Sequence, residues 1–368
     1  MLHTMFKWTP VTAASLLAMA NVCADPLDAR LGALETKVQA MSQKDVRGMT
    51  QATAVTARPM IDGADLFATA DALYWKATED GLEYGLRNHI SQTQYERFDG
   101  TSKTIESDWN AGMRLGLGYN IPYDQWDLNL TWTHFHNTTD SSLDAPPNGY
   151  LLGIYTSASV RPVDASLNYD AKWKLQYDTL DLELGRSFFT SKALSLRPFV
   201  SARGARIDQD MDLLYSGVDP DLILGHAPFA TYLQNKFHAW GARAGMNFNW
   251  RFGSHWGLFG KVSGSILYSR FHVSALQKKE VNLSYNEPAY DIENGFHRVR
   301  TNLEGGAGLQ WDAYANRHRA HLVFTLGYEL VQWFDLNHFR NFYNIPNYTE
   351  SSGDLGLQGV TFSGRVDF

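Results

Sequence analysis

The chain has 368 residues, of which 44% are apolar, 19% charged and 13% aromatic, and its mean hydropathy is −0.32. Aromatic residues this dense exclude a disordered chain, and so polar an average excludes a bundle of membrane-spanning helices, each needing about 18 or more consecutive apolar residues. The formal net charge of −7, from 32 scattered basic residues against 39 acidic ones, argues against nucleic acid as a partner, and the single cysteine, Cys23, allows no intrachain disulfide.

Residues 1–24 have the pattern of an export signal. Lys7 supplies a positive start, Val11 to Met19 form a short apolar stretch, and Val22, Cys23 and Ala24 fit a small-x-small cleavage site. A lipid anchor on Cys23 is disfavoured because Val22 stands where such a site usually has Gly, Ala or Ser. Leu27, Leu31, Leu34, Val38 and Met41 then follow at spacings of 4, 3, 4 and 3, an a/d stripe. The stripe predicts a short coiled coil that joins protomers, with a trimer favoured; the alternative is one amphipathic helix lying on the rest of the protein. Gly48 to Pro59 is rich in Thr and Ala and nearly uncharged, so 25–60 is expected to be coiled coil plus linker and 61–368 the main domain.

From Leu66 onward the apolar period is two. Ala111, Met113, Leu115, Leu117 and Tyr119 alternate with Gly112, Arg114, Gly116 and Gly118. Trp126, Leu128, Leu130 and Trp132 alternate with Asp127, Asn129, Thr131 and Thr133. The same rule holds around Leu182, from Trp240 to Trp250, around Val262, and around Leu303 and Leu326. This is strand patterning, sustained for ~9–13 residues at a time. A soluble sandwich and an outer-membrane barrel both alternate. Long strands, aromatic residues at both ends of the apolar stripes, and tight turns (Asn120 to Asp124, Arg251 to Ser254) alternating with long connections (Asp140 to Asn168, Tyr215 to Asn235, Gln332 to Asp354) favour the barrel. The last strand places Val360, Phe362, Val366 and the terminal Phe368 on one face, as in barrels handed to the outer-membrane assembly machinery.

The expected fold is therefore an all-β transmembrane antiparallel β-barrel in the outer membrane of a Gram-negative bacterium, with lipid as a partner. Counting segments gives 66–76, 80–88, 109–120, 125–137, 168–178, 179–189, 194–206, 208–215, 236–250, 255–270, 271–284, 296–311, 318–333 and 355–368, about 14 strands within a range of 12–16. Alternation points Arg114, Arg197, Arg203, Arg243, Lys261, Arg298 and Arg300 inward, with Glu83, Asp127, Asp181, Glu183, Glu304 and Glu329. Mixed charge of this kind lines pores and filters ions, and it also fills plugged barrels. Inward Gly112, Gly116, Gly118, Gly241 and Gly245 favour open space.

Chemistry of other kinds finds little support. His134 and His136 share a strand face but lack a third metal ligand nearby, Ser269 and His272 are the nearest approach to a hydrolytic pair, and Asp181 and Glu183 are spaced like glycosidase carboxylates. No catalytic residue, metal or cofactor is expected.

The run Ala70-Asp-Ala-Leu-Tyr-Trp-Lys-Ala-Thr-Glu-Asp-Gly-Leu-Glu-Tyr84 resembles the first hairpin of the Legionella-type major outer membrane proteins, relatives of the MOMP-like porins of environmental chlamydiae. Trp173-Lys-Leu-Gln-Tyr-Asp-Thr-Leu-Asp-Leu-Glu-Leu-Gly-Arg186, Leu196-Arg-Pro-Phe-Val-Ser-Ala-Arg-Gly204 and Leu27-Asp-Ala-Arg-Leu-Gly-Ala-Leu-Glu35 are similar to that family too. The resemblance lies between residues 27 and 204 and implies an abundant, oligomeric porin. The family's disulfide-linked network does not carry over to a chain whose only cysteine falls in the export signal. The expected function is passive diffusion of small hydrophilic solutes and ions; the alternative is an adhesin or structural barrel with binding loops.

Overall fold

The computed structural model describes residues 65–89, 99–121, 126–147, 150–155, 166–191, 193–218, 229–253, 255–281, 284–315, 320–344 and 347–368. The export signal, the a/d stripe from Leu27 to Met41 and the linker lie outside the described residues. Among those described there is no helix.

Ten antiparallel strands close a barrel: β1 (Leu66–Glu79), β2 (Trp109–Asn120), β3 (Trp126–Asp144), β4 (Ser166–Arg186), β5 (Leu194–Val218), β6 (Phe229–Arg251), β7 (Trp256–Val281), β8 (Ser284–Ala315), β9 (Ala320–Asn337) and β10 (Gly353–Asp367). Each pairs with its neighbours in sequence, and β10 returns to β1 from Phe67↔Asp367 to Glu79↔Leu355. Reciprocal bonds between Leu66 and Phe368 finish the seam, N to O at 3.2 and 2.9 Å.

The expected fourteen strands become ten. The segments 168–178 and 179–189 are one strand, β4; 194–206 and 208–215 are one, β5; 255–270 and 271–284 are one, β7. The segment at 80–88 does not form a barrel strand: Gly81 turns the chain at φ 83°, and Glu83–Asn88 pairs with Gly100–Thr104 and Tyr150–Gly153. The physical reason is an inversion of polarity along a strand whose parity never changes. On β4 the odd residues point inward throughout. From Thr179 to Gly185 they are polar or small, and the outward Leu180, Leu182 and Leu184 are exposed. From Tyr169 to Tyr177 the inward residues are apolar and buried, and the outward ones are Asp170, Lys172, Lys174, Gln176 and Asp178. β5, β6 and β7 invert at the same level. Half of each strand thus matches lipid outside, and the other half matches water outside.

The lipid-facing half forms a belt. On β6 the outward residues run from Trp250 through Phe248, Met246, Ala244 and Ala242 to Trp240. The ten steps from Trp240 to Trp250, at about 3.4 Å each and tilted by about 40°, span roughly 25 Å, the height of an outer-membrane apolar band. Its rims carry Trp126, Trp250, Trp256 and Trp311 at the end with short turns, and Tyr74, Trp109, Trp132, Trp240 and Tyr268 at the end with long connections. The latter end faces outward from the cell in barrels of this type.

Beyond that rim β3 to β8 continue as a crown with a packed core. Phe237 lies 5.1 Å from Phe271 and 5.7 Å from Trp333, and Tyr215 sits between Tyr169 (4.3 Å) and Phe229 (4.4 Å). The connections tuck into it. Leu82, Tyr84, Ile105, Leu151, Tyr155, Leu336 and Phe339 join the buried cluster. Tyr155 donates to the Gly81 carbonyl (3.2 Å), Tyr215 to that of Tyr84 (3.3 Å), and Asn235 Nδ2 to that of Leu336 (2.8 Å). Much of what the sequence presents as loops is therefore strand wall or plug.

Leu130 and Leu326 occupy the middle of the belt, each 45% or more exposed. Replacing either with Arg should destabilise the barrel by about 2–4 kcal/mol in lipid vesicles, measured by denaturant unfolding, whereas Ser142→Arg on the crown should change little. Unchanged stability of both belt variants would show that this face does not meet lipid.

Candidate functional site

The polar inner face of the lipid-level barrel gathers most of the inward charges into two clusters. In the first, Arg114 on β2 reaches Asp71 on β1 (3.1 Å) and Glu329 on β9 (2.9 Å), and Lys261 on β7 reaches the same Glu329 (2.5 Å). In the second, Arg203 on β5 holds Asp181 on β4 through Nε (2.7 Å) and Nη2 (2.8 Å), donates from Nη1 to Asn302 Oδ1 (2.9 Å), and pairs with Glu304 on β8. Arg243 on β6 reaches Glu304 (2.6 Å) and Glu183 (3.5 Å). Arg197 on β5 pairs with Asp127 on β3 and with Glu183 (2.5 Å).

These contacts cross the lumen. β5 and β8 are separated by two strands on the wall, as are β2 and β9. The Arg203–Glu304 and Arg114–Glu329 pairs are thus chords across the barrel rather than links between neighbours. Arg203 is only 3% and Glu329 only 4% exposed in their side chains. The first cluster balances two cations against two carboxylates, and the second sets three guanidiniums against four. Phe199 lies beneath Arg243 (5.0 Å) and Arg197 (5.7 Å), and Trp75 faces Arg114 (5.7 Å).

The inward glycines do not leave space. A Cβ on Gly118 would collide with the Phe67 ring, one on Gly245 with Ser263 and the Phe199 ring, and one on Gly185 with the Arg197 guanidinium. Each glycine makes room for a large neighbour that fills the lumen. Above the clusters, outside the lipid level, the buried Glu79 accepts from Gln209 Nε2 (3.3 Å), and burial holds its carboxyl well above the ordinary range.

Other expected residues go elsewhere. Arg300 pairs with Asp335 (2.8 Å) and lies 2.8 Å from His338 Nε2; Asp335 has φ 51°, a conformation costly for a non-glycine residue and fixed here by its backbone N–H on Asp354 (2.8 Å). Arg298 is exposed, 4.9 Å over the Phe296 ring. Glu83 opens the Glu83–Asn88 connection and is not on a barrel strand. His134 and His136 point outward, and His134 Nδ1 is 2.8 Å from Asp178. Ser269 and His272 face opposite sides of β7: Ser269 donates inward to the Arg298 carbonyl (2.6 Å), and His272 is outward near Glu293 (3.9 Å). Asp181 and Glu183 are occupied by arginines. Asp71 is the member that alternation passed over, because its outward neighbours are only Ala70 and Ala72, a weak apolar signal.

A family model described as the Legionella pneumophila major outer membrane protein precursor matches residues 64–368. The likeness thus runs through the second half of the chain as well, and leaves the heptad at 27–35 outside it. No curated protein sequence matches. Among solved structures, the outer membrane protease OmpT from Escherichia coli is 11% identical with a TM-score of 0.42, covering 85% of this chain and 99% of that one. The outer membrane protein OprG from Pseudomonas aeruginosa is 9% identical with a TM-score of 0.25, covering 83% and 99%. Ail, the attachment invasion locus protein of Yersinia pestis, is 11% identical with a TM-score of 0.24, covering 82% and 99%.

Removing the Glu304 charge takes one partner from each of two buried guanidiniums, Arg203, which keeps Asp181 and Asn302, and Arg243, which keeps Glu183. Glu304→Gln should lower stability by about 3–5 kcal/mol, and an Arg203→Met change in the same chain should recover part of that loss. Strictly additive losses in the two single variants and the double variant would mean that the pair does not interact.

Proposed function

We propose, for a chain that belongs to the family of the Legionella pneumophila major outer membrane protein, that this outer-membrane barrel is a closed scaffold whose crown and outward connections bind envelope or surface partners, with little passage of solutes through its interior. The observation that carries this reading is the filled lumen. Chords of charge tie strands that are not neighbours on the wall at the lipid level, and an aromatic core fills the crown above them. A hydrated solute would have to part these pairs, and breaking one buried pair costs about 3–5 kcal/mol. Ten strands also make a narrower barrel than the 16–18 of general porins with an aqueous channel.

Passive diffusion of small hydrophilic solutes is the second reading. Mixed inward charge favours it, as do Lys261, which is 32% exposed in its side chain, and the exposed Arg298. Planar-bilayer recording separates the two. The scaffold reading expects small, infrequent conductance from the wild type and a marked rise in the Arg203→Ala, Glu304→Ala double variant. Steady ohmic steps from the wild type, with sugar-driven liposome swelling, would establish the porin instead.

The a/d stripe from Leu27 to Met41 supports assembly of several copies, with a trimer favoured. Deleting 25–57 should leave a barrel that folds and whose oligomer dissociates at lower temperature on gels; equal oligomer stability with and without the segment would remove this role.

A further inference from the structure

On the outer wall, immediately above the aromatic rim, strand register aligns a row of polar side chains across six strands. His134 stands opposite Asp178, Asp178 opposite Arg206, Arg206 opposite His238, and His238 opposite Arg270, with His297 next in line on β8. The row directly below is Trp132, Leu180, Gly204, Trp240 and Tyr268. Both rows face away from the lumen. Together they line a groove of about 670 Å³.

The groove exists because Gly204 has no side chain. A Cβ at Gly204 would meet nothing nearer than the Leu180 carbonyl at 4.0 Å, so the position is open rather than sterically required to be glycine. Leu180 and Trp240 flank Gly204, with Trp132 next beyond Leu180, and Trp240 is 71% exposed. The floor is thus apolar, formed by Leu180, Gly204, Trp240 and Tyr268. At its upper edge Arg270 has no ion pair among the described residues, and the Arg206 side chain is 56% exposed although it reaches Asp208 (2.7 Å). Asp178 is the acidic member of the row, and it is engaged by His134 (2.8 Å) and Gln176 Nε2 (3.1 Å). His297 is stacked on Tyr268 at 5.6 Å.

Position in the membrane selects the ligand. Trp240 marks the upper rim of the roughly 25 Å apolar band, so Arg206 and Arg270 stand at the level of the outer-leaflet headgroups. A cationic edge over an apolar trough complements a lipid whose phosphates lie at the interface and whose chains descend beside the wall; guanidinium forks suit phosphate geometry. We infer that this groove is a specific site for the phosphorylated, multiply acylated lipid of the outer leaflet, lipid A, with Arg206 and Arg270 on its phosphate and an acyl chain over Gly204 between Trp132 and Trp240.

The test uses the full chain, purified in detergent and freed of carried-over lipid, with bisphosphorylated lipid A as the probe and native mass spectrometry as the readout. Wild type should retain the lipid. The Arg206→Ala, Arg270→Ala double variant should bind about tenfold more weakly, the loss expected for charge-assisted hydrogen bonds. Gly204→Leu, which adds a side chain in the trough where a Cβ meets no close atom, should also weaken binding, and unchanged heat-dependent gel mobility of the variants shows that each barrel is folded. Wild-type affinity in either variant, equal binding of fully dephosphorylated lipid A, or equal binding of phosphatidylglycerol would overturn the assignment. None of these readouts depends on whether the interior conducts.

Discussion

A chain that crosses lipid has no water to satisfy its backbone, and each N–H or C=O left unpaired in hydrocarbon costs several kcal/mol. A sheet meets this constraint only by closing on itself. Here the closing pair is β1 with β10, and its register brings Phe368 back to Leu66. Closure sets the parity of every strand, and parity sets which side chains meet lipid and which share the lumen. The arginines at 114, 197, 203 and 243 are inside because Leu115, Leu196, Ala202 and Ala244 beside them lie on strands already committed to the wall.

Closure with ten strands also decides what the interior can hold. A narrow lumen lets Arg203 reach Glu304 and Arg114 reach Glu329 across the barrel, and glycines beside Phe67 and Phe199 allow those rings to fill what remains. Charges removed from water in this way are stabilised only by close partners and further hydrogen bonds. Arg203 has both, from Asp181, Glu304 and Asn302. The inner wall therefore behaves as a polar core.

Above the lipid level the environment of the two faces exchanges. Water lies outside and the plug inside, so the apolar residues move to the inner face while the strand continues. The Arg–His row marks the level of that exchange on the outer wall: it is the first polar row above Trp240 and Tyr268, where the surroundings change from acyl chains to headgroups. One boundary, the membrane surface, thus explains the inverted strands, the aromatic rim and the cationic edge together.

Leu117 and Gly116, or Leu182 and Glu183, show how much is local: one alternates outward and the other inward, a period of two that can be followed along the chain without any partner. Barrel class, lipid-facing positions and inward charges follow from that period, and they were legible in the sequence. Strand number was not, because at Asp178 and Thr179 polarity inverts without a break in backbone, and a change of polarity mimics a turn. Nor were the partners of Arg114 and Arg203 legible, since Glu329 and Glu304 lie far along the chain and on strands that are not their neighbours. The same holds for the groove at Gly204, whose rim comes from six strands. Sequence by itself determined which face most barrel-strand residues take, because alternation is a property of adjacent residues; Asp71, set between alanines, and Glu83, off the barrel strands, are exceptions. Only the tertiary structure decided which charges meet across the lumen, because those contacts depend on how many strands close the barrel and in what register.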